Sequence, residues 1–343
     1  MPRSYGNCGV ERIRVPAKNM PVAEVEVTPD LVLRLLVTQH PDLADLPLTP
    51  LAEGWDNVML RLGDDLVVRL PRRAAAAPLL ENEQKWLPVI APGLPLPIPV
   101  PVRVGVPGEG YPWAWSVLPH LPGMAAATTP PSDPQDAAAA LGAFLGALHA
   151  PAPQDHPVNR VRGVPLAHRD AILRDTLDHL DGDVDGIADT DTVLRLWSDS
   201  LETPVWDGPP VWLHGDLHPG NLLVHEGRLS GVVDFGDITA GDPATDLSVA
   251  WMLLPRNADD AFRGAYAARS GRSVDDATWR RAWGWALALS VVFVGHSVDN
   301  PMIACIGRRT LQAVLADTAQ ADTAQADASR PNTTPSPVDR LPQ

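Results

Sequence analysis

The densest run of chemically competent side chains is His214-Gly-Asp216-Leu-His218-Pro-Gly-Asn221, followed downstream by Val-Val-Asp234-Phe-Gly-Asp237. Apolar stretches at 211–213 and 222–224 flank the first run, so it reads as a loop at strand ends, where polar groups stay solvated and usable. An isolated carboxylate, a carboxamide five residues later and a second carboxylate that a hairpin folds back beside them suit phosphoryl transfer. Asp216 can orient or deprotonate an alcohol, while Asn221 and Asp234 offer oxygen donors to Mg²⁺, a hard cation. The same letters admit a rival, because His214-x-Asp216-x-His218 with Asp234 has the ligand types of a zinc or iron hydrolase. Convergence of positions i, i+2 and i+4 on one ion needs a strand, and Pro219-Gly220 directly afterwards signals a loop. His214 and His218 also have a plainer use, satisfying backbone groups in a turn.

These loops need a scaffold, and hydropathy patterning outlines one in two parts. Thr28 before Pro29, with Leu31, Leu35 and Leu36 at helical spacing, predicts a short capped helix over 28–40. From 51 to 73 the period changes to two. Val58, Leu60 and Leu62 alternate, Gly63-Asp64-Asp65 supplies a turn and 66–70 returns, a β-hairpin with Gly54-Trp55-Asp56-Asn57 at its mouth. A helix over 74–90, interrupted by Pro78, carries Glu81 and Glu83, and Pro-rich strands end at Trp115-Ser-Val-Leu118. Residues 21–120 thus form a small β-sheet lobe with one packed helix. Beyond Leu121-Pro-Gly123 the composition turns to Ala and Leu. Ser132-Asp133-Pro134 opens a helix that Pro151 stops, and further helices are expected over 169–180 and 192–201. Residues 211–234 read as strand, loop, strand, turn at Gly227, strand, and helical patterning then continues to 317. This larger, mostly helical lobe over 121–317 completes an α+β architecture of two lobes. Residues 1–20 read as a disordered extension. Residues 318–343, with a repeated Asp-Thr-Ala-Gln-Ala and then Ser, Pro and Asn, read as a disordered tail that buries too little apolar area to offset chain entropy.

Composition narrows the partners. Lys and Arg number 27 against 42 Asp and Glu, a formal charge of −15, which disfavours a phosphate backbone and hence a nucleic-acid partner. The two cysteines, Cys8 and Cys305, cannot build a zinc cluster. The strongly apolar stretch at 285–295 is well short of the ~20 residues that cross a bilayer, and the first nineteen residues hold no apolar core of a secretory signal. The expectation is a cytoplasmic enzyme without a membrane partner, its oligomeric state not legible.

His214-Gly-Asp216-x-x-x-x-Asn221 with Asp234-Phe-Gly236 resembles the catalytic and metal loops of the aminoglycoside phosphotransferase family, relatives of the protein kinases. The likeness extends over most of 45–315. Gly54-Trp-Asp-Asn57 resembles the family's nucleotide loop, 115–123 its interlobe linker, and Gly241-Asp242-Pro-Ala-Thr-Asp246 the segment after its metal loop. The resemblance implies a bilobal protein-kinase-like fold. It implies a kinase that uses Mg²⁺ and ATP or GTP to phosphorylate a hydroxyl of a small antibiotic-like or metabolite acceptor. Position by position it implies Asp216 as catalytic base, Asn221 and Asp234 as magnesium ligands, and His214 as a support of the loop. Asp242 and Asp246 read as local, Asp246 as the cap of a helix starting at Leu247.

Three positions depart from the family's pattern. Where kinases carry a lysine on the third strand, this chain has Arg69, which can contact phosphate bidentately and pair with a carboxylate. The partner is Glu83 or Glu81, and since two helical positions differ by about 200°, only one faces Arg69. The nucleotide loop has a single glycine, Gly54, which lets backbone approach phosphate, and Asn57 can donate to a phosphate oxygen. In the linker Pro119 lacks an N–H, which leaves an adenine edge to the Leu118 carbonyl and the His120 amide. Trp279, Trp283 and Trp285 suit either an apolar acceptor pocket or the core. A nucleotide-binding scaffold without turnover is the alternative from a different class, beside the metal hydrolase.

Overall fold

A computed structural model describes residues 21–328 apart from 181, 272, 273 and 298, with 320–328 described by their backbone alone. The expectations for 1–20 and for 329–343 lie outside the described residues.

Helix α1, Pro29–Gln39, starts where Thr28 accepts from Leu31 N, and it buries Leu31, Val32, Leu35 and Leu36 on one face. That face covers a sheet of β1 (Leu48–Glu53), β2 (Asn57–Leu62), β3 (Leu66–Pro71), β4 (Arg103–Gly105) and β5 (Trp115–Pro119), in the order β1-β2-β3-β5-β4 with antiparallel neighbours. Trp115 seals this small-lobe core by lying flat over Gly105, where any Cβ would collide with its indole. Helix α2, Ala77–Ile90, begins with Pro78 in its first turn, so Pro78 opens the helix that it was expected to interrupt. The missing N–H of proline costs nothing at that position. The buried face of α2 holds Leu80, Glu83, Trp86 and Leu87, which puts one carboxylate on an otherwise apolar stripe.

The chain crosses through β6 (Met124–Ala125) into α3 (Pro134–Leu148), capped by Asp133. After α4 (Asp170–Asp178), the short pair β7 (Asp183–Val184) and β8 (Ala188–Asp189), and α5 (Thr190–Leu201) come the strands that carry the polar loops. These are β9 (Val211–Leu213), β10 (Leu222–His225), β11 (Arg228–Val232) and β12 (Thr239–Gly241). β10 pairs with both β11 and β6, and β12 pairs with β9. Helices α6 (Ala244–Leu247), α7 (Val249–Leu253), α8 (Asp259–Ser270), α9 (Asp276–His296) and α10 (Pro301–Ala328) complete the large lobe. α3 and α8 approach closely because Gly142 and Gly146 face Phe262 O and Tyr266 O, where a Cβ would stand 2.3 and 2.7 Å away. α9 is buried nearly all round over 282–294, where its sequence is almost wholly apolar, and Trp279 and Trp285 belong to the core. α10 continues to Ala328, past the boundary at 317 from which disorder was expected. Alanine and glutamine are good helix formers, and here their propensity extends a helix already anchored through Leu311 and Val314. Among the described residues no helix is long and apolar enough to cross a membrane.

Candidate active site

The loop after β9 is held from beneath by one buried carboxylate. Asp246, inside α6, accepts from His214 N at 2.7 Å and from Gly215 N at 3.0 Å. It therefore anchors this loop rather than capping a following helix. Gly215 has φ +86°, and a Cβ there would meet Asp237 O at 2.3 Å, so only glycine lets the two loops touch. His214 is fully buried and both ring nitrogens are committed: Nδ1 accepts from Asp216 N at 3.2 Å, and Nε2 donates to Val233 O at 3.0 Å. His218 Nδ1 likewise accepts from Gly220 N at 3.0 Å, leaving Nε2 3.5 Å from Asp216 Oδ2. Neither histidine thus has the outward lone pair that a zinc or iron ligand needs, and among the described residues no group of three His, Cys, Asp or Glu side chains is gathered for a metal. The hydrolase alternative built on His214, Asp216 and His218 fails on this chemistry.

The β10–β11 hairpin folds the second loop back as expected. Asn221 O accepts from Val233 N at 2.9 Å, directly before Asp234, and Asn221 Nδ2 donates to Asp216 O at 2.9 Å. That bond fixes the amide, and among the described residues Asn221 Oδ1 accepts no hydrogen bond. Asp234 adopts φ +66° and keeps its side chain 58% exposed, with Oδ1 accepting from Arg69 Nη2 at 3.0 Å. Asn221 Oδ1 and the Asp234 carboxylate are hard oxygen donors at the two ends of one hairpin, which Val233 N bonded to Asn221 O draws together, a donor set that fits Mg²⁺.

From the small lobe Arg69 reaches across. Its Nη1 donates to Glu83 Oε1 at 2.9 Å, so the helical phase selects Glu83 and turns Glu81 away. Burial pushes the Glu83 carboxyl up while Arg69 opposes it, and the two carboxylates raise Arg69 against its own burial. Asn57, with its amide oxygen facing the guanidinium, accepts from Arg69 Nε at 3.2 Å and Nη2 at 3.0 Å, so its oxygen serves the arginine. Gly54 N donates to Asn57 O at 2.9 Å and closes the β1–β2 tip, while a Cβ on Gly54 would meet only Asn57 O at 3.8 Å. The fold itself does not demand that glycine.

The linker corrects one expectation. His120 N donates to Asp65 O at 2.7 Å, and the register pairs Leu118 with Val67. Period-two alternation turns the main-chain groups of both residues toward β3, so neither is free for a nucleotide. The edge that alternates away carries the Pro119 carbonyl and the Leu121 N–H.

Sequence reasoning missed Arg162. Its Nη2 lies 2.5 Å from Asp216 Oδ1 and its Nε 3.7 Å from Asp237 Oδ2. Asn159 sets this arginine, accepting from Arg162 N at 3.2 Å while its Nδ2 donates to Asp237 Oδ1 at 2.8 Å. Burial works to raise the Asp216 carboxyl, yet Arg162, with His218 and His214, holds it well below the usual carboxylate range. Burial raises Asp237, with Arg162 opposing. An Asn-x-x-Arg turn between helices is too common a pattern to have marked this residue.

A five-stranded sheet with one packed helix, a helical lobe and this cleft between them define the protein-kinase-like class of α+β phosphotransferase folds. Residues 47–285 match the model of the phosphotransferase enzyme family APH, and the chain belongs to that family. It is 32% identical over 159 residues to an aminoglycoside 3'-phosphotransferase of Streptomyces fradiae, covering 46% of this chain and 59% of the relative. It is 27% identical over 144 residues to one of Escherichia coli, covering 41% and 53%. The chain thus spans just over half the length of the curated relatives it matches. Among solved structures, the GDP complex of aminoglycoside 2'-phosphotransferase-IIIa aligns with TM-score 0.60 at 22% identity, over 84% of this chain and 98% of that one. A macrolide 2'-phosphotransferase from Brachybacterium faecium aligns with TM-score 0.54 at 23% identity, over 81% and 96%. At these identities the solved structures establish the fold.

Proposed function

We propose that this chain is a small-molecule O-phosphotransferase that moves the γ-phosphate of ATP or GTP to a hydroxyl of an antibiotic-like or metabolite acceptor. The observation that carries the reading is the convergence of Asp216, Asn221 and Asp234 through the β9 and β10–β11 loops, with Arg69 joining Asp234 to Glu83. Relatives named as aminoglycoside phosphotransferases, and structures holding GDP or ATP, support it.

Asn221 Oδ1 and the Asp234 carboxylate would hold Mg²⁺, which supplies neutralisation of phosphate charge when bound. Arg69 is positioned to add a guanidinium to the same phosphates, and the β1–β2 tip with Gly54 covers them. The Pro119 carbonyl and Leu121 N–H read the adenine or guanine edge. Asp216 accepts the acceptor's hydroxyl proton as that oxygen bonds to the γ-phosphorus and the bridge to the nucleoside diphosphate breaks, so the diphosphate leaves with the bridging oxygen. Its ionised state under Arg162 suits a base that positions the hydroxyl more than it withdraws the proton early. A cytoplasmic site, where nucleotide is abundant, fits this chemistry.

Asp216→Asn tests the reading. Thermal stabilisation by Mg-ATP should survive while turnover with the true acceptor falls by roughly 10²–10⁴-fold. Full turnover in that variant would show that Asp216 is not the base.

A further inference from the structure

Beyond Asp216 lies a cluster of donors without acceptors. Arg169, at the end of the 3₁₀ turn Leu166–Arg169 that leads into α4, is 5% exposed, and its Nε has no acceptor among the described residues. Trp285 Nε1 is likewise buried without a hydrogen bond among the described residues, and Arg162 Nε has only the 3.7 Å ion pair with Asp237. The three are linked in space. The Arg169 guanidinium stands 5.7 Å over the Trp285 ring, and burial first, then the nearness of Arg162, lowers Arg169 to about 10. A cation over an indole offsets part of the burial and supplies no oxygen. Buried arginines are ordinarily paired and hydrogen-bonded, as Arg281 is by Asp242 at 2.6 Å in the same lobe. Arg162 stands between two carboxylates, Asp216 and Asp237, whereas Arg169 beside it has no carboxylate partner among the described residues, which leaves one buried guanidinium without an anion next to the catalytic loop.

We propose that Arg162 and Arg169 receive a negatively charged group of the acceptor, a carboxylate or a phosphate ester carried close to the hydroxyl that is phosphorylated. This rests on the phosphotransferase reading and narrows its acceptor to anionic hydroxy compounds. Planar guanidiniums match such oxygens bidentately. An anion arriving there takes Arg162 as its own partner and releases Asp216 Oδ1, now held at 2.5 Å, for the hydroxyl.

The test is calorimetric titration of the full chain loaded with Mg-ADP, using glycerol, glycerate, glycerol 3-phosphate and kanamycin as probes. Glycerate or glycerol 3-phosphate should bind about tenfold or more tightly than glycerol, the worth of one charge-assisted hydrogen bond, and which of the two binds separates carboxylate from phosphate. Arg169→Met should abolish the difference, leave ADP affinity unchanged and melt no lower than the parent, because it removes a buried charge that has no partner. Arg162→Gln, on a half-buried loop, should abolish it too and serves if Arg169→Met is recovered unfolded. Anions binding no better than glycerol, kanamycin binding best, or a preference that survives both substitutions would overturn the proposal while leaving the kinase reading intact. Failure of that reading shows separately, as absent ADP binding in the loading titration, and takes the proposal with it.

Discussion

Asp246→Ala perturbs the catalytic loop without touching its residues. The carboxylate is fully buried, takes His214 N at 2.7 Å and Gly215 N at 3.0 Å, and has His149 Nε2 3.4 Å away. Alanine leaves both main-chain donors in a sealed site without an acceptor, at roughly 1–3 kcal/mol each. The central expectation is a loss of about 4 kcal/mol, which for a chain of this size corresponds to a fall in Tm of roughly 6 °C. Asparagine keeps one oxygen, satisfies one donor and should lose about half as much. Scanning calorimetry at neutral pH reads the stability, and ADP release reads the loop, where a displacement of about 1 Å costs on the order of 10²-fold in rate. If the alanine variant melts within about 2 °C of the parent, or if asparagine costs as much as alanine, the assignment of two carboxylate-held N–H groups is wrong.

Three further expectations concern the same cleft. Arg162→Ala removes the group that holds Asp216 down against burial. The parent's depressed carboxyl stays ionised, and its stabilisation is lost only as pH falls below about 4, so kcat/KM should show no acid limb from Asp216 above about pH 5. In the variant burial dominates, the carboxyl rises and an acid limb should enter the profile between about pH 5 and 7; an unmoved profile contradicts the pairing. Arg69→Met leaves Glu83 buried without its cation and should destabilise by about 3–5 kcal/mol, whereas Arg69→Lys, with one nitrogen for three partners, should raise the nucleotide KM about tenfold while retaining most stability; steady-state kinetics and thermal melts separate the two. Gly215→Ala drives a Cβ to 2.3 Å from Asp237 O at φ +86°, and the soluble yield and Tm should both fall, by roughly 1–3 kcal/mol from the backbone strain alone.

How legible all this was depended on whether the determining signal is local. Strand alternation at 58–62 and 66–70, the Thr28 and Asp133 caps, and the Gly227 turn are short-range features, and each falls where its pattern placed it. The pairing of Arg69 with Glu83 follows once helical phase is known. Three readings failed for reasons of context. Pro78 opens a helix because its position relative to the first turn, not its identity, decides its effect. His120 and Leu118 are spent in the β3 ladder, since register fixes which main-chain edge faces out. Asp246 turned inward to the loop because tertiary burial outweighs its value as a cap. Arg162 and Arg169 carried no sequence signal, as what makes them matter is chiefly Asp216, Asp237 and Trp285, all more than fifty positions away.

One guanidinium joins Glu83 of the small lobe to Asp234 of the large lobe, bonding residues 165 positions apart in the second case. Closing a loop of that length carries an entropic cost that nearby contacts do not bear, and the clasp is held in place by Trp86 of α2, which packs 4.8 Å from Trp212 within the large-lobe core. One substitution at Trp86 should therefore loosen the small lobe and the large-lobe core together.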